Sequence, residues 1–144
     1  MIYLLGVDHQ VQHQKNAQVS KKFMTYLGKS IRDLKIGFVG EEWFDDLLKE
    51  NNITTTTTQD IASNHRIEHR FCDPNRRERN KIGWRSKNDD HLREIYWMKK
   101  MSDKLNSNVI FICGSKHLIA FAKLLTISGH TCKILSEKFD EIMY

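Results

Sequence analysis

Two short segments of this chain share one spacing. Gly6-Val7-Asp8-His9 and Gly114-Ser115-Lys116-His117 each place a histidine three residues after a glycine. Seven glycines and seven histidines would give roughly 0.3 such matches by chance, so two are a modest surplus. The context adds to it, because each segment directly follows an apolar run, Ile2–Val7 and Val109–Cys113. Glycine permits a tight turn and close backbone approach, and an imidazole can ligate a metal or act as a general base. A third group stands after a third apolar run: Glu41 and Glu42 follow Ile36-Gly37-Phe38-Val39-Gly40. Two imidazoles and one carboxylate suit a divalent metal with positions left open for water. The expected ligands are His9, Glu41 and His117, with Glu41 favoured over Glu42. Such a metal would polarise a carbonyl or phosphoryl group and lower the pKa of its bound water. Without metal, one histidine could serve as base, oriented by a carboxylate. Gly6, Gly114 and Ser115 are the backbone positions that would cradle a ligand, and a phosphate could sit on the helix start after Gly114. The plainer reading of Glu41 and Glu42 is as first-turn helix residues that complement the dipole.

A second tier of residues is less specific. Between His65 and Arg93 lie Arg66, Arg70, Arg76, Arg77, Arg79, Lys81, Arg85 and Lys87, a basic cluster that could meet phosphates or simply be solvated. Within it, Asp73 and Arg76 are candidate catalytic residues, since a guanidinium can hold an anionic substrate or stabilise an oxyanion. Arg93 and Glu94 are candidate helpers on a helix whose other face is core, and Gln12 lies one turn beyond His9. His13, His65, His69, His91 and His130 lack a comparable placement and read as surface or structural.

These groups need a scaffold that brings strand ends together. Apolar runs at Ile2–Val7, Lys35–Val39, Ile67–Phe71, Val109–Cys113 and Thr131–Leu135 read as strands. Val19, Phe23, Leu27, Ile31 and Leu34 recur at helical spacing within Asn16–Leu34. Further helices are expected over Glu41–Asn51, from Pro74 with Asp73 as N-cap, over Asp89–Leu105, and over Lys116–Ser128 before Gly129. Thr54–Thr58 reads as an edge strand or polar loop. The alternation points to an α/β fold, a single domain over residues 1–144 with an open, mainly parallel sheet of about five strands and helices on both faces. In such a sheet, ligands bind beyond the C-terminal strand ends, where both histidines and the glutamates fall.

Bulk composition narrows the classes. With 40% hydrophobic and 28% charged residues the chain has a globular balance rather than a disordered one. No apolar run approaches the ~20 residues of a membrane span, and the N-terminus lacks a signal-peptide pattern. Cys72, Cys113 and Cys132 have no CxxC spacing, so free thiols in the cytoplasm are expected. The net charge of +5 is moderate.

Two GX2H segments after strands with a glutamate between them resemble the superfamily that joins TraB/PrgY, TIKI, erythromycin-esterase and ChaN-like proteins, of which this chain would be a minimal, very short member. The resemblance implies an α/β fold and a site centred on His9, Glu41 or Glu42, and His117. TIKI-like members are metal-dependent peptidases, esterase-like members open a lactone and ChaN-like members bind haem, so activity does not travel with the fold. The resulting expectation is a metal-assisted hydrolase acting on an anionic small molecule or a peptide, with a divalent metal as cofactor and haem as the remoter one. Two alternatives stand beside it. One is a nucleic-acid or nucleotide protein that uses the Arg66–Lys87 cluster, and the other is a non-catalytic ligand-binding or interaction protein. A homo-oligomer sharing apolar surface at Trp84 or Trp97 is a further expectation.

Overall fold

The computed structural model describes residues 1–139; residues 140–144, part of the expected domain, lie outside them. Five strands form one sheet in the order β3-β2-β4-β1-β5, with β1 at Ile2–Val7, β2 at Phe38–Glu41, β3 at Glu68–Phe71, β4 at Val109–Gly114 and β5 at Cys132–Phe139. Every neighbouring pair is parallel. Parallel strands need crossovers, and seven helices are present among the described residues: α1 Gln10–His13, α2 Gln18–Asp33, α3 Asp46–Glu50, α4 Thr57–Asn64, α5 Arg76–Lys81, α6 Asp90–Lys100 and α7 Leu118–Ile127. The chain is therefore an α/β fold with an open parallel sheet.

Strand alternation explains why both faces are covered. In β4, Val109, Phe111 and Cys113 point to one face and pack with Trp97 and Met101 of α6 and its exit and with Leu118, Phe121 and Leu125 of α7. Ile110 and Ile112 point to the other, against Phe23, Leu27 and Ile31 of α2 and Ile61 and Ala62 of α4. A strand apolar at every position is thus the signature of a sheet buried on both sides. Trp97 is fully buried, so it is not available to a partner. Among the described residues, the large apolar side chains left exposed are Met1, Ile119 and Ile127. The three cysteines are free thiols, and burial pushes the Cys72 thiol up to about 12. No helix among the described residues is long and apolar enough to cross a membrane.

Three local expectations are corrected. The helix expected over Glu41–Asn51 is only Asp46–Glu50, because Glu41 remains in the sheet, paired with Ile112 and Phe71. Thr54–Thr58 is a loop only over Thr54–Thr56, and Thr57 and Thr58 already belong to α4. Thr56 caps α4, its hydroxyl accepting from Gln59 N–H while the Gln59 side chain accepts from Thr56 N–H, a reciprocal capping box. The cap of α5 is Asn75, boxed with Glu78, which frees the Asp73 carboxylate for other partners.

Register sets the strand ends. Val7 pairs with Gly114 and Glu41 with Ile112, so the three adjacent strands β2, β4 and β1 finish on nearly one level. Gly6 is required by sheet packing, since a Cβ there would lie 2.0 Å from the carbonyl oxygen of Glu137 in β5. At Gly37 nothing lies within 4 Å of the equivalent position. Gly6→Ala should therefore lower stability by about 1–3 kcal/mol, the usual scale of overpacking, and Gly37→Ala by much less, measured by thermal or urea unfolding. Equal losses in the two variants would contradict this packing account.

Candidate functional site at the strand ends

Each key side chain follows a central strand. Glu42 is the first residue beyond β2, His9 the second beyond β1 and His117 the third beyond β4. Glu42 N–H donates to the Ile112 carbonyl, which extends the ladder by one residue and aims its carboxylate across the end of β4. There Oε1 accepts from Gly114 N–H at 2.7 Å and Oε2 accepts from Arg93 Nη2 at 2.5 Å. The two imidazoles flank the same oxygen. His9 Nε2 lies 3.9 Å and His117 Nε2 3.6 Å from Glu42 Oε2. Gly114 leaves room for this convergence, since a Cβ there would meet His9 Nε2 at 3.0 Å and Glu42 Oε1 at 3.3 Å.

The outer partners define the tautomers. His117 Nδ1 lies 3.0 Å from Glu94 Oε2; a carboxylate only accepts, so Nδ1 carries a proton, and in the neutral ring Nε2 presents its lone pair. His9 Nδ1 lies 2.6 Å from Gln12 Oε1, while Gln12 Nε2 donates to Glu41 Oε2 and to the Glu42 carbonyl. The Gln12 oxygen must then accept from His9 Nδ1–H, and His9 Nε2 also presents a lone pair. His117 is buried and its Nε2 has no hydrogen-bond partner, whereas the His9 side chain is 48% exposed. One imidazole is closed off from solvent, and the other is half open to it.

Behind Glu42 lies a charge cluster. Arg93 donates to both oxygens of Asp73, Trp97 Nε1 donates to Asp73 Oδ1, and Arg79 donates to Asp73 Oδ2 at 2.7 Å. Burial opposes the Arg93 charge, but Asp73 and Glu42 outweigh it and hold the guanidinium above its ordinary pKa. Arg79 also stacks over Trp84 and Phe44. A cavity of about 300 Å³ opens here, lined by His9, His13, Glu42, Trp43, Asp73, Arg79, Arg93 and Lys116 among others. Burial and the neighbouring His9 lower the pKa of His13. Trp43 is buried with an Nε1–H that has no acceptor.

Glu42, rather than the favoured Glu41, is the carboxylate between the histidines. Glu41 is fully buried and satisfied elsewhere, with Oε1 accepting from Thr56 Oγ1 and His69 Nε2 and Oε2 from Gln12. The set His9, Glu41 and His117 is therefore not brought together. Asp73 is drawn in, as an acceptor for Arg79, Arg93 and Trp97. Arg76 is not, being exposed and paired with Glu50 at 2.7 Å. Ser115 opens a short 3₁₀ turn that carries His117, and Gly6 lies under β5. Arg93, Glu94, Gln12, His13 and His69 take larger parts than their sequence context suggested. His13, four residues after His9, shares its helical side.

The donor types suit a divalent metal in part. A nitrogen from each imidazole and a carboxylate oxygen spaced 3.6–3.9 Å in His–Glu pairs match ligands on bonds of about 2 Å, and the His117 nitrogen has no hydrogen-bond partner, with Asp90 Oδ2 3.9 Å away. Against this, Arg93 shares the same carboxylate oxygen, and no group of three or more His, Cys, Asp or Glu among the described residues forms a ready metal site. Compared with known proteins, the chain matches no family model, no curated protein and no solved structure.

Arg93→Met should cost about 3–5 kcal/mol, because it removes the guanidinium paired with buried Glu42 and one of the two paired with Asp73. Arg76→Ala should stay within about 0.5 kcal/mol, as exposed pairs do. Chemical unfolding of both variants checks this; a mild Arg93→Met would break the account of the cluster.

Proposed function

We propose that this chain is a hydrolase whose reacting centre is His9, Glu42 and His117. The observation that carries the reading is the convergence of two imidazole lone pairs on one buried carboxylate oxygen, one of those nitrogens being buried without a partner. A water at this point can donate one hydrogen to His117 Nε2 and the other to His9 Nε2. As the water oxygen attacks a carbonyl or phosphoryl centre, His117 takes the proton and Glu94 steadies the resulting imidazolium through Nδ1–H. The proton then passes to the leaving group. Lys116 lines the cavity and would meet negative charge on the substrate or the developing oxyanion. A divalent metal would be held by His9, His117 and Glu42, and when bound would supply further activation of the water.

The volume of about 300 Å³ suits a small substrate or the end of a larger one. The resemblance to the two-GX2H superfamily supports a hydrolytic reading without choosing among its chemistries, and haem is not part of the proposal. A reducing, cytosolic setting is, on the strength of three free thiols. The nucleic-acid reading draws less support. Arg70 pairs with Asp103 and Glu68, Arg76 with Glu50 and Arg79 with Asp73, which uses three of the eight basic groups internally.

The test is hydrolysis of p-nitrophenyl acetate, p-nitrophenyl phosphate and bis(p-nitrophenyl) phosphate, with and without added Mn²⁺ or Zn²⁺ and with a chelator. At least one should be turned over; His117→Ala should lose roughly 10²–10⁴-fold, the scale of general acid–base catalysis, and Glu42→Gln should also lose activity, because it removes the charge on which the two imidazoles converge. Turnover that survives both substitutions would overturn the proposal. Loss on chelation with recovery on metal addition would assign the metal its part.

A further inference from the structure

Glu41 lies beside the centre yet does not face it, and its surroundings suggest what it does. The residue is fully buried, and its three side-chain donors come from three elements: Thr56 Oγ1 at 2.7 Å from the α4 cap, His69 Nε2 at 2.8 Å from β3, and Gln12 Nε2 at 2.9 Å from α1. Gln12 is also fully buried. Its amide nitrogen is held twice, by Glu41 Oε2 and the Glu42 carbonyl at 3.2 Å. A carboxamide with its NH₂ so committed has only its oxygen left, and that oxygen lies 2.6 Å from His9 Nδ1. Thr57 Oγ1 donates to the carbonyls of Val11 and Gln12, which secures the short α1 helix on α4.

We infer that Gln12 is a positioning residue, anchored by Glu41, that locks His9 in the Nδ1–H tautomer and so keeps the Nε2 lone pair on the face toward Glu42 and His117. It never touches substrate. A partner that fixes the tautomer of an imidazole is a recurrent device around catalytic and metal-ligating histidines. The buried cluster of Glu41, Thr56 and His69 thereby serves the site from behind. Glu94 does for His117 what Gln12 does for His9, so the two histidines share a design with a different outer partner. The inference rests on the hydrolase reading for its purpose, though its test does not.

The test is long-range ¹H–¹⁵N NMR of the ¹⁵N-histidine-labelled full chain, with His9 assigned by His9→Gln. At neutral pH the wild type should show His9 as Nδ1–H. Gln12→Leu, which removes the acceptor for Nδ1–H, should shift His9 toward Nε2–H. An Nε2–H wild type, or an unchanged tautomer in Gln12→Leu, overturns the inference. Should Gln12→Leu fail to fold, the wild-type tautomer still decides: an Nε2–H pattern overturns it. Where an activity is found, Gln12→Leu should lower kcat by about 10–100-fold with little change in KM. An Nδ1–H His9 in a chain without hydrolytic activity would sink the hydrolase reading and leave the brace standing.

Discussion

A carboxylate buried at the C-terminal end of a parallel sheet is expensive unless it is paired and hydrogen-bonded, and Glu42 is such a group, 4% exposed. Its position is dictated by β2, whose ladder runs one residue past Glu41 to the Glu42 amide. Everything nearby answers that charge. Gly114 offers its N–H and leaves space by lacking a side chain. Arg93 reaches from α6 with its guanidinium. The two imidazoles present nitrogens from the ends of β1 and β4.

Arg93 then needs its own neutralisation, which Asp73 provides, and Asp73 in turn engages Arg79 and the Trp97 indole. Because Trp97 packs against Phe111, Phe121 and the His117 ring, the polar cluster and the apolar core on that face are mechanically one unit. A rigid site follows from this coupling, since shifting any one of these groups exposes a buried charge or opens the core. Catalytic groups benefit from such support. The half-exposed His9 is the exception, and there the Gln12–Glu41 pair supplies the constraint that packing does not.

The fold was legible because its signals are one-dimensional. Five apolar runs separated by helical periodicity define parallel strands, and a strand apolar at consecutive positions, such as Val109–Cys113, announces burial on both faces. The pairing of His9 with His117 was legible from their shared placement after strands. The choice between Glu41 and Glu42 was not, because neighbouring residues at a strand end point to opposite sides and one step of register decides which enters the site. The partners of Asp73 were hidden for a related reason. Arg93 and Trp97 are brought to it by the packing of α6 on the sheet, and no local pattern around Asp73-Pro74 encodes that. The threonine run was legible as a loop over Thr54–Thr56 but not as a helix start at Thr57, because β-branched residues favour strands and a capping box overrides that preference.

The central claim is a specific geometry at three strand ends, so the most direct measurement is a high-resolution crystal structure of the chain grown with a divalent metal in the medium. The account predicts His9 Nε2 and His117 Nε2 on either side of Glu42 Oε2, near the 3.9 and 3.6 Å seen here, with Glu41 turned away onto Gln12, Thr56 and His69. Imidazoles more than about 10 Å apart, too far for ligand bonds near ~2 Å to share one ion or one water, or Glu41 standing in place of Glu42, would contradict it.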